Sequence, residues 1–382
     1  MANQLLAVQA LRALAATAVV LAHLMPFEAK YATGEVLFPR GFEYGQAGVD
    51  LFFVISGYIM AVTTFGRFGS AASGWGFLQR RALRIYPVYW VYLTLVCAVW
   101  LVAPRIMNAG ASVPPDILAS YTLLPHQNGH LLLVSWTLSF EMFFYLVFAA
   151  LLATLRNGRL GLALAAWAGI TIAGQLLFQP GRPQPYLNLI FNPLVLEFIA
   201  GAAVALLLPR LGLAQATRLG LGLGLAQATR LGLTQTARLG ATLFLAGLLV
   251  AAIGIHVMLG QGGAFPENWP RVLVFGSAAT LLLAGCVLLE PVLAGHLPAW
   301  LIALGDASYS IYLSHLLTIG VVGQFWRAGL AADHPLNHLL ALATALLVSL
   351  LAGLLSYRLL EQPLMALLQG RRRRPVLVAG AG

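Results

Sequence analysis

Arg12 and His23 are two residues that could do chemistry, and both lie in one apolar stretch near the start of the chain. The stretch, Leu5–Met25, has nearly the length of about 20 residues that crosses the hydrocarbon core of a bilayer. On a helix, the eleven-residue step leaves both side chains within about 20° of one face and roughly 16 Å apart along the axis. A cation and a titratable base on one face predict a functional site inside the membrane. The alternative is that Arg12 reaches the headgroups and that His23 only ends the span.

Two carboxylates follow in later apolar segments. Asp50 would need a partner inside a membrane, and Arg12 or His23 is the natural candidate. Glu141 is expected to lie at about the depth of His23, where a carboxylate can orient the imidazole and stabilise its charged form. The alternatives are that Asp50 starts its helix at the interface and that Glu141 makes a structural bond between helices.

Arg81 and Arg84 are three residues apart and therefore share one face of the next helix. A guanidinium binds phosphate through two parallel hydrogen bonds, so this pair predicts a phosphate-binding site. The alternative is a pair of ordinary anchors on the cytoplasmic side of the membrane. Ser308, Tyr312 and His315 form a further polar face, which hydrogen bonds between helices also explain.

The composition indicates that a membrane surrounds the elements that position these residues. Of the 382 residues, 60% are hydrophobic and 9% are charged, whereas a soluble domain carries about 25% charged residues. The net charge of +10 does not indicate nucleic-acid binding, because the arginines lie between apolar segments or at the C-terminus. The two cysteines offer no disulfide framework, and His126 and His130 lack a third ligand, so no metal site is predicted.

We predict an all-α, polytopic integral membrane protein with about ten transmembrane helices. Arginines are abundant in every second connection and scarce in the others, which places both termini in the cytoplasm. In this prediction residues 1–365 form one transmembrane domain, and residues 366–382 form a basic, disordered cytoplasmic tail. The predicted helices are Leu5–Met25, Ala47–Phe65, Tyr86–Ala103, Ser135–Leu155, Leu160–Phe178, Leu187–Leu208, Ala241–Leu259, Arg271–Leu289, Trp300–Gly323 and Pro335–Leu360.

A local repeat interrupts this pattern within residues 209–240. The sequence LGLAQATRLG occurs at 211–220 and again at 223–232. Its arginines exclude a membrane span and its glycines disfavour a stable helix, so we expect a cytoplasmic loop along the membrane. An amphipathic helix bound to lipid is the alternative.

These motifs, in this order, resemble the acyltransferase-3 family of bacterial integral-membrane O-acyltransferases. The resemblance covers nearly the whole chain, and it is greatest to the short members, such as the exopolysaccharide acetyltransferases. Arginine, ten residues and histidine, together with Phe-Phe-x-x-Ser-Gly, form its most specific part. The elements that carry it are Arg12 with His23, GVDLFFVISGY (48–58), RRALRIYP (80–87), SWTLSFE (135–141), DASYSIYLSH (306–315) and YRLLEQP (357–363).

The resemblance implies an O-acyltransferase of the bacterial inner membrane, in contact with lipids. It would move an acyl group, expected to be acetyl, from acyl-CoA to a hydroxyl of a cell-surface glycan, an exopolysaccharide or a lipid-linked oligosaccharide. No permanently bound cofactor is implied. The implied roles are catalysis by His23 as general base with Glu141 and Asp50, binding of acyl-CoA by Arg12, Arg81 and Arg84, and binding of substrate by Ser56, Trp136, Tyr309 and His315.

A translocator of polysaccharide or lipid-linked glycan, without acyl transfer, is the alternative function. Its intramembrane charges would line a substrate path. A histidine on the outer side near a carboxylate, with arginines grouped on the cytoplasmic side, favours the enzyme. We find no inverted repeat with broken helices, which a transporter would more often show. A membrane sensor is disfavoured because the chain has almost no soluble domain.

Overall fold

A computed structural model describes residues 5–31, 36–103, 115–156, 158–181, 183–210, 226–329 and 334–370. These parts of the chain are helical and contain no strand, which confirms the all-α class for them. Short 3₁₀ helices cover Arg40–Ala47 and Leu133–Ser135, and π-helical turns cover Val272–Gly276 and Tyr357–Glu361. The α-helices are α1 (Leu6–Tyr31), α2 (Gly48–Thr64), α3 (Ala71–Val102), α4 (Ile117–Thr122), α5 (Trp136–Thr154), α6 (Leu160–Phe178), α7 (Pro185–Phe191), α8 (Val195–Arg210), α9 (Ala226–Gly260), α10 (Asn268–Arg271), α11 (Ser277–Leu293), α12 (Ala299–Asp306), α13 (Ser308–Gly329), α14 (Pro335–Ser356) and α15 (Gln362–Gly370).

Nine helical segments within the described ranges are long and apolar enough to cross a membrane. Their outward faces carry large apolar side chains that no other part of the protein covers. Leu162 and Ile170 on α6, and Leu245 and Leu249 on α9, are each more than half exposed. A lipid environment accommodates such a surface, so the chain is a multi-pass membrane protein, as predicted.

The predicted helix Trp300–Gly323 has a different form. The chain bends at Ala307 and forms two helices, α12 and α13. Helix α13 has 22 residues, but its serines, its threonine and its histidine make it more polar than the nine apolar segments. The described residues therefore hold nine apolar segments of spanning length where the sequence predicted about ten spans, and the difference is the predicted helix Trp300–Gly323.

Two helices are longer than the hydrophobic pattern predicts. Helix α1 continues to Tyr31, and its extension carries the buried Glu28. The Glu28 carboxylate accepts hydrogen bonds from the backbone N–H groups of Leu37 and Phe38. Helix α3 begins at Ala71 rather than near Tyr86, because the preceding residues are mostly good helix formers. Its arginines thus lie about three turns inside the helix and not in a connection.

The repeat and the tail are also partly helical. Residues 226–240, predicted as a loop, are the first part of α9, because alanine, leucine, glutamine and arginine outweigh the two glycines between them. Residues 211–225 lie outside the described residues. Residues 366–370, predicted as disordered tail, are the end of α15, and residues 371–382 lie outside the described residues.

Close backbone contacts hold the helices that carry the site. A Cβ atom at Gly57 would lie 1.9 Å from the backbone oxygen of Phe198, and one at Gly201 would lie 1.8 Å from that of Val54. Only glycine therefore fits at these two positions, where the backbones of α2 and α8 touch. Helix α1 lies at the centre and packs against α2, α11, α12, α13 and α14.

Helices α1 and α13 run in the same direction. At one end Gly305, just before α13, lies against the backbone of Gln9, and at the other end Gly323 lies against the ring of Tyr31. Residues at matching positions along the two helices are therefore neighbours. This arrangement brings the polar faces of α1 and α13 together.

Candidate active site

A cavity of about 140 Å³ lies between α1, α2, α3, α5 and α13. Its wall is mainly apolar, but each of the five helices adds polar side chains to it. We refer to it as the arginine cavity. Six of the residues predicted from the sequence line it, namely Arg12, Ser56, Arg81, Arg84, Glu141 and Tyr309.

Arg84 is held by a carboxylate and an aromatic ring. Its Nη1 atom lies 2.5 Å from Oε1 of Glu361, and its guanidinium lies 5.8 Å from the centre of the Tyr309 ring. Glu361 is fully buried and also accepts a hydrogen bond of 2.7 Å from Ser310 Oγ. The C-terminal π-helical turn therefore orients Arg84 toward the cavity.

Arg81 and Arg12 complete the basic lining. The Arg81 guanidinium lies 5.6 Å from the centre of the Phe77 ring and 5.8 Å from that of Tyr145. Arg12 donates a hydrogen bond of 3.4 Å to Gln9 Oε1, one turn earlier in α1. Three cations in a partly enclosed space form an attractive environment for an anion.

Glu141 belongs to this cavity and not to the surroundings of His23. Its carboxylate accepts hydrogen bonds from Ser56 Oγ, at 3.2 Å, and from the Tyr145 hydroxyl. It shares the cavity with Arg12, which lies eleven residues before His23 in α1. The prediction that Glu141 lies at the depth of His23 is therefore wrong.

The reason is that α5 begins inside the helix bundle. Val134 and Ser135, directly before it, are 3% and 0% exposed, so the first turn of α5 already lies below the surface. Trp136, in that first turn, was predicted to bind substrate together with the cavity residues. It lines a second cavity instead, on the far side of α5's first turn.

His23 and His315 form a histidine pair with ring centres 4.9 Å apart. Nδ1 of His23 lies 2.8 Å from the carbonyl oxygen of Val19, and Nδ1 of His315 lies 2.7 Å from that of Tyr312. Since a carbonyl oxygen only accepts hydrogen bonds, each Nδ1 carries a proton, and in the neutral ring each Nε2 keeps its lone pair. Nε2 of His315 is buried and has no hydrogen-bond partner among the described residues.

This histidine pair lies directly behind the wall of the arginine cavity. Phe52 and Tyr312 form that part of the wall, with ring centres 6.2 Å apart, and the Tyr312 ring lies 5.9 Å from that of His315. The Tyr312 hydroxyl is fixed by Thr137 Oγ1, at 2.9 Å, and by the carbonyl oxygen of Val134, at 3.0 Å. The pair and the cavity are therefore separated by side chains and not by a helix.

Asp50 has a different partner from either candidate that the sequence suggested. Arg271 Nε and Nη2 donate to its two carboxylate oxygens at 2.9 and 3.0 Å, and both side chains are buried. The predicted pairing with Arg12 or His23 is wrong, because Asp50 lies in the first turn of α2 and faces α10. Glu197 is buried beside this ion pair.

Sequence reasoning missed Arg271 and Glu361. Arg271 lies in the apolar run NWPRVLVFG, and a buried carboxylate such as Asp50 made any arginine in another span a candidate partner. Glu361 lies in the motif YRLLEQP, which was recognised but had no role. Among the described residues, no group of three or more His, Cys, Asp and Glu side chains is placed to share a metal ion.

The fold and the site together define a multi-pass membrane protein with a basic cavity inside the helix bundle and two histidines behind its wall. A family model described as an acyltransferase domain matches residues 5–358. The chain therefore belongs to the acyltransferase-3 family and is an acyltransferase, as the motifs predicted.

Three relatives show how far the similarity extends. The chain is 34% identical over 361 residues to "Exopolysaccharide production protein ExoZ" of Rhizobium meliloti (strain 1021), over 92% of this chain and 96% of the relative. It is 28% identical to "Nodulation protein 10" of Rhizobium leguminosarum bv. viciae, over 85% and 83% of the two chains. It is 25% identical to "Acyltransferase MdmB" of Streptomyces mycarofaciens, over 88% and 84%. No solved structure shows significant similarity.

Proposed function

We propose that this acyltransferase moves an acetyl group from acetyl-CoA to a hydroxyl of an exopolysaccharide or another cell-surface glycan. Family membership supports acyl transfer, and the name of the ExoZ relative, an exopolysaccharide production protein, supports a glycan acceptor. The observation that carries the choice of donor is the arginine cavity, in which three guanidiniums face one space. CoA carries several phosphate groups, for which such a cavity is suited.

In this proposal Arg12, Arg81 and Arg84 bind the CoA phosphates. The Glu361 carboxylate already holds the Arg84 guanidinium toward the cavity. The phosphates of the donor therefore compete with Glu361 for Arg84. Glu141 positions Ser56 and Tyr145 at the cavity wall through its hydrogen bonds. The thioester then lies toward Phe52 and Tyr312, and its acyl group reaches the histidine pair when these two side chains move apart.

His23 acts as the general base of the proposed reaction. Its Nε2 lone pair takes the proton from the acceptor hydroxyl while the hydroxyl oxygen attacks the thioester carbonyl carbon. The tetrahedral intermediate then collapses, the C–S bond breaks, and the CoA thiolate leaves and is protonated by the imidazolium. The backbone of Val19 holds the His23 ring, so neither Glu141 nor Asp50 is needed to orient it.

We further propose that both termini lie in the cytoplasm of a bacterium and that the chain resides in the inner membrane. The arginine distribution supports this orientation. Contacts at one end of the bundle agree with it: Gly305 lies against Gln9, and Ser310 donates to Glu361. The start of α1 and the end of the described chain are thus on the same side, as an even number of crossings requires.

The experiment that tests the function compares His23→Ala with the matched variant His296→Ala. His296 also places its Nδ1 near a backbone oxygen one turn earlier, at 2.9 Å from Val292, but it is exposed and does not line the arginine cavity. A positioned general base contributes about 10²–10⁴-fold, so His23→Ala should abolish detectable acylation of the glycan by mass spectrometry. His296→Ala should acylate normally.

Binding of acetyl-CoA, followed by thermal shift, serves as the control for folding. His23→Ala must keep this shift if it only lacks the base. Near-normal acylation by His23→Ala would remove it from the mechanism and direct the search to His315. A translocator would behave differently, since loss of the gene would reduce the amount of exported glycan and leave its acyl content unchanged.

A further inference from the structure

A second cavity, of about 130 Å³, lies at the start of α5, between the connection that precedes α5 and the short helix α7. Of its lining residues, the family resemblance gives a role only to Trp136, and the proposed donor chemistry gives the cavity none. We refer to it as the second cavity. Its polar and aromatic lining includes His126, Gln127, His130, Trp136, Ser139 and Asn188.

The chemistry of this lining differs from that of the arginine cavity. The described residues that line it include amides, a hydroxyl, imidazoles and an indole, but no Lys, Arg, Asp or Glu. Burial and the neighbouring His126 lower the pKa of His130 to about 4, so His130 is neutral at pH 7. A polar lining without Lys, Arg, Asp or Glu, beside an aromatic side chain, suits a hydroxyl-rich ligand better than a phosphate.

His130, a residue of the second-cavity lining, has one ring nitrogen without a hydrogen-bond partner among the described residues. Nε2 of His130 lies 2.9 Å from Ser139 Oγ, whereas its Nδ1 is buried and has no hydrogen-bond partner among the described residues. A buried polar atom without a partner costs free energy, which a ligand hydroxyl would recover. Gln127 Nε2 donates to the carbonyl oxygen of Pro183 at 2.8 Å and so joins the two segments that frame the cavity.

A single layer of aromatic side chains separates the two cavities. Phe53 lines the arginine cavity, whereas Trp136 and Phe140 line the second one. The Phe53 ring centre lies 6.5 Å from that of Trp136 and 6.3 Å from that of Phe140. The second cavity is therefore adjacent to the arginine cavity, on the other face of the first turns of α5.

We propose that the second cavity is an acceptor subsite that binds one uncharged sugar unit of the glycan. The sugar ring stacks on the Trp136 indole, and its hydroxyls bond to His130 Nδ1 and to the Asn188 amide. The hydroxyl that receives the acyl group lies on another part of the same glycan. This inference rests on the proposed function and adds the place where the acceptor is recognised.

The test uses Asn188→Ala and His130→Ala, singly and combined, in the full-length protein. Gln184→Ala is the matched control, because it removes an exposed amide from the N-cap of the same short helix without touching the cavity. The probe is a set of de-O-acylated oligosaccharides from the source bacterium's own exopolysaccharide, with acetyl-CoA as donor. Each single variant should raise the KM for the oligosaccharide about 2- to 12-fold, and the double variant about 5- to 150-fold. The KM for acetyl-CoA should not change in any of them.

Calorimetric binding of the same oligosaccharides, without donor, separates this inference from the proposed function. If the wild type binds them and the double variant does not, the subsite stands even when no acyl transfer is found, and only the proposed function fails. Absence of binding to the wild type would overturn the subsite. An unchanged KM for the oligosaccharide in the double variant would also overturn it. A rise in the KM for both substrates together with lower thermal stability would overturn it too, because that result indicates a structural role.

Discussion

Replacing Arg271 by methionine should destabilise the protein strongly, because it leaves a carboxylate buried without its cation. Asp50 is 0% exposed and receives two hydrogen bonds from Arg271, at 2.9 and 3.0 Å. Each charge-assisted hydrogen bond contributes about 1.5–3 kcal/mol, so the two together contribute about 3–6 kcal/mol. The usual cost of removing one partner of a buried ion pair, about 3–5 kcal/mol, agrees with this value.

The double variant Asp50→Asn/Arg271→Met should recover most of that loss. It removes both formal charges of the pair and leaves a carboxamide that can donate to Glu197. Asp50→Asn alone should cost less than Arg271→Met, because Glu197 remains close enough to neutralise the guanidinium. Arg327→Met, at an exposed arginine near the end of α13, is the matched control and should be nearly neutral.

Thermal unfolding of the purified variants in detergent measures these differences, and the yield of folded protein gives a second measure. Arg271→Met should unfold several degrees below the wild type, and the double variant should lie between them. The reasoning would be refuted if Arg271→Met unfolded at the wild-type temperature, or if the double variant were no more stable than Arg271→Met. A stable but inactive Asp50→Asn variant would instead support the predicted catalytic role of Asp50.

Three further predictions follow from the same structure. Arg81→Ala and Arg84→Ala should each weaken binding of acetyl-CoA by about 10- to 150-fold, corresponding to about 1.5–3 kcal/mol. Arg81→Ala should do so with little change in thermal unfolding, and unchanged affinity with a collapse in yield would make Arg81 an anchor only. Arg84→Ala should also lower the unfolding temperature, because it leaves the buried Glu361 without its cation. Reporter fusions between α8 and α9 and at the C-terminus should both report the cytoplasm, and a periplasmic signal at either would contradict the proposed orientation. Gly201→Ala should destabilise the protein by about 1–3 kcal/mol or more, because the new Cβ would lie 1.8 Å from the backbone oxygen of Val54. Gly169→Ala on α6, which has open space around it, should not destabilise the protein.

The existence of the helices could be predicted because the bilayer sets the length of an apolar segment. Leu160–Phe178 was predicted with the bounds that α6 has. The start of α3 could not be found in this way, because residues 71–85 mix polar and apolar side chains and no hydrophobic pattern marks their beginning. The helical part of the repeat was missed because its glycines received more weight than the helix formers around them.

The candidate site was predictable where residues share a helix face and not where they meet across helices. Arg81 and Arg84 line the same cavity as Arg12, although their role in donor binding stays a prediction. The partner of Asp50 is 221 residues away in sequence, and no periodicity within a helix reports such a contact. The prediction of the depth of Glu141 failed for a related reason, because that depth depends on how the buried segment before α5 folds into the bundle.

The aromatic layer of Phe53, Trp136 and Phe140 also bears on how the protein keeps a charged membrane sealed. If the two cavities open to opposite sides of the membrane, water in both would reduce the insulating thickness between the two aqueous compartments to these rings. The membrane potential then falls mainly across them, because an electric field concentrates in the least polarisable part of its path. The layer must exclude ions while the acyl group is transferred to the acceptor. We therefore expect Phe53→Ala to make the membrane conduct protons in liposomes, with or without any donor present.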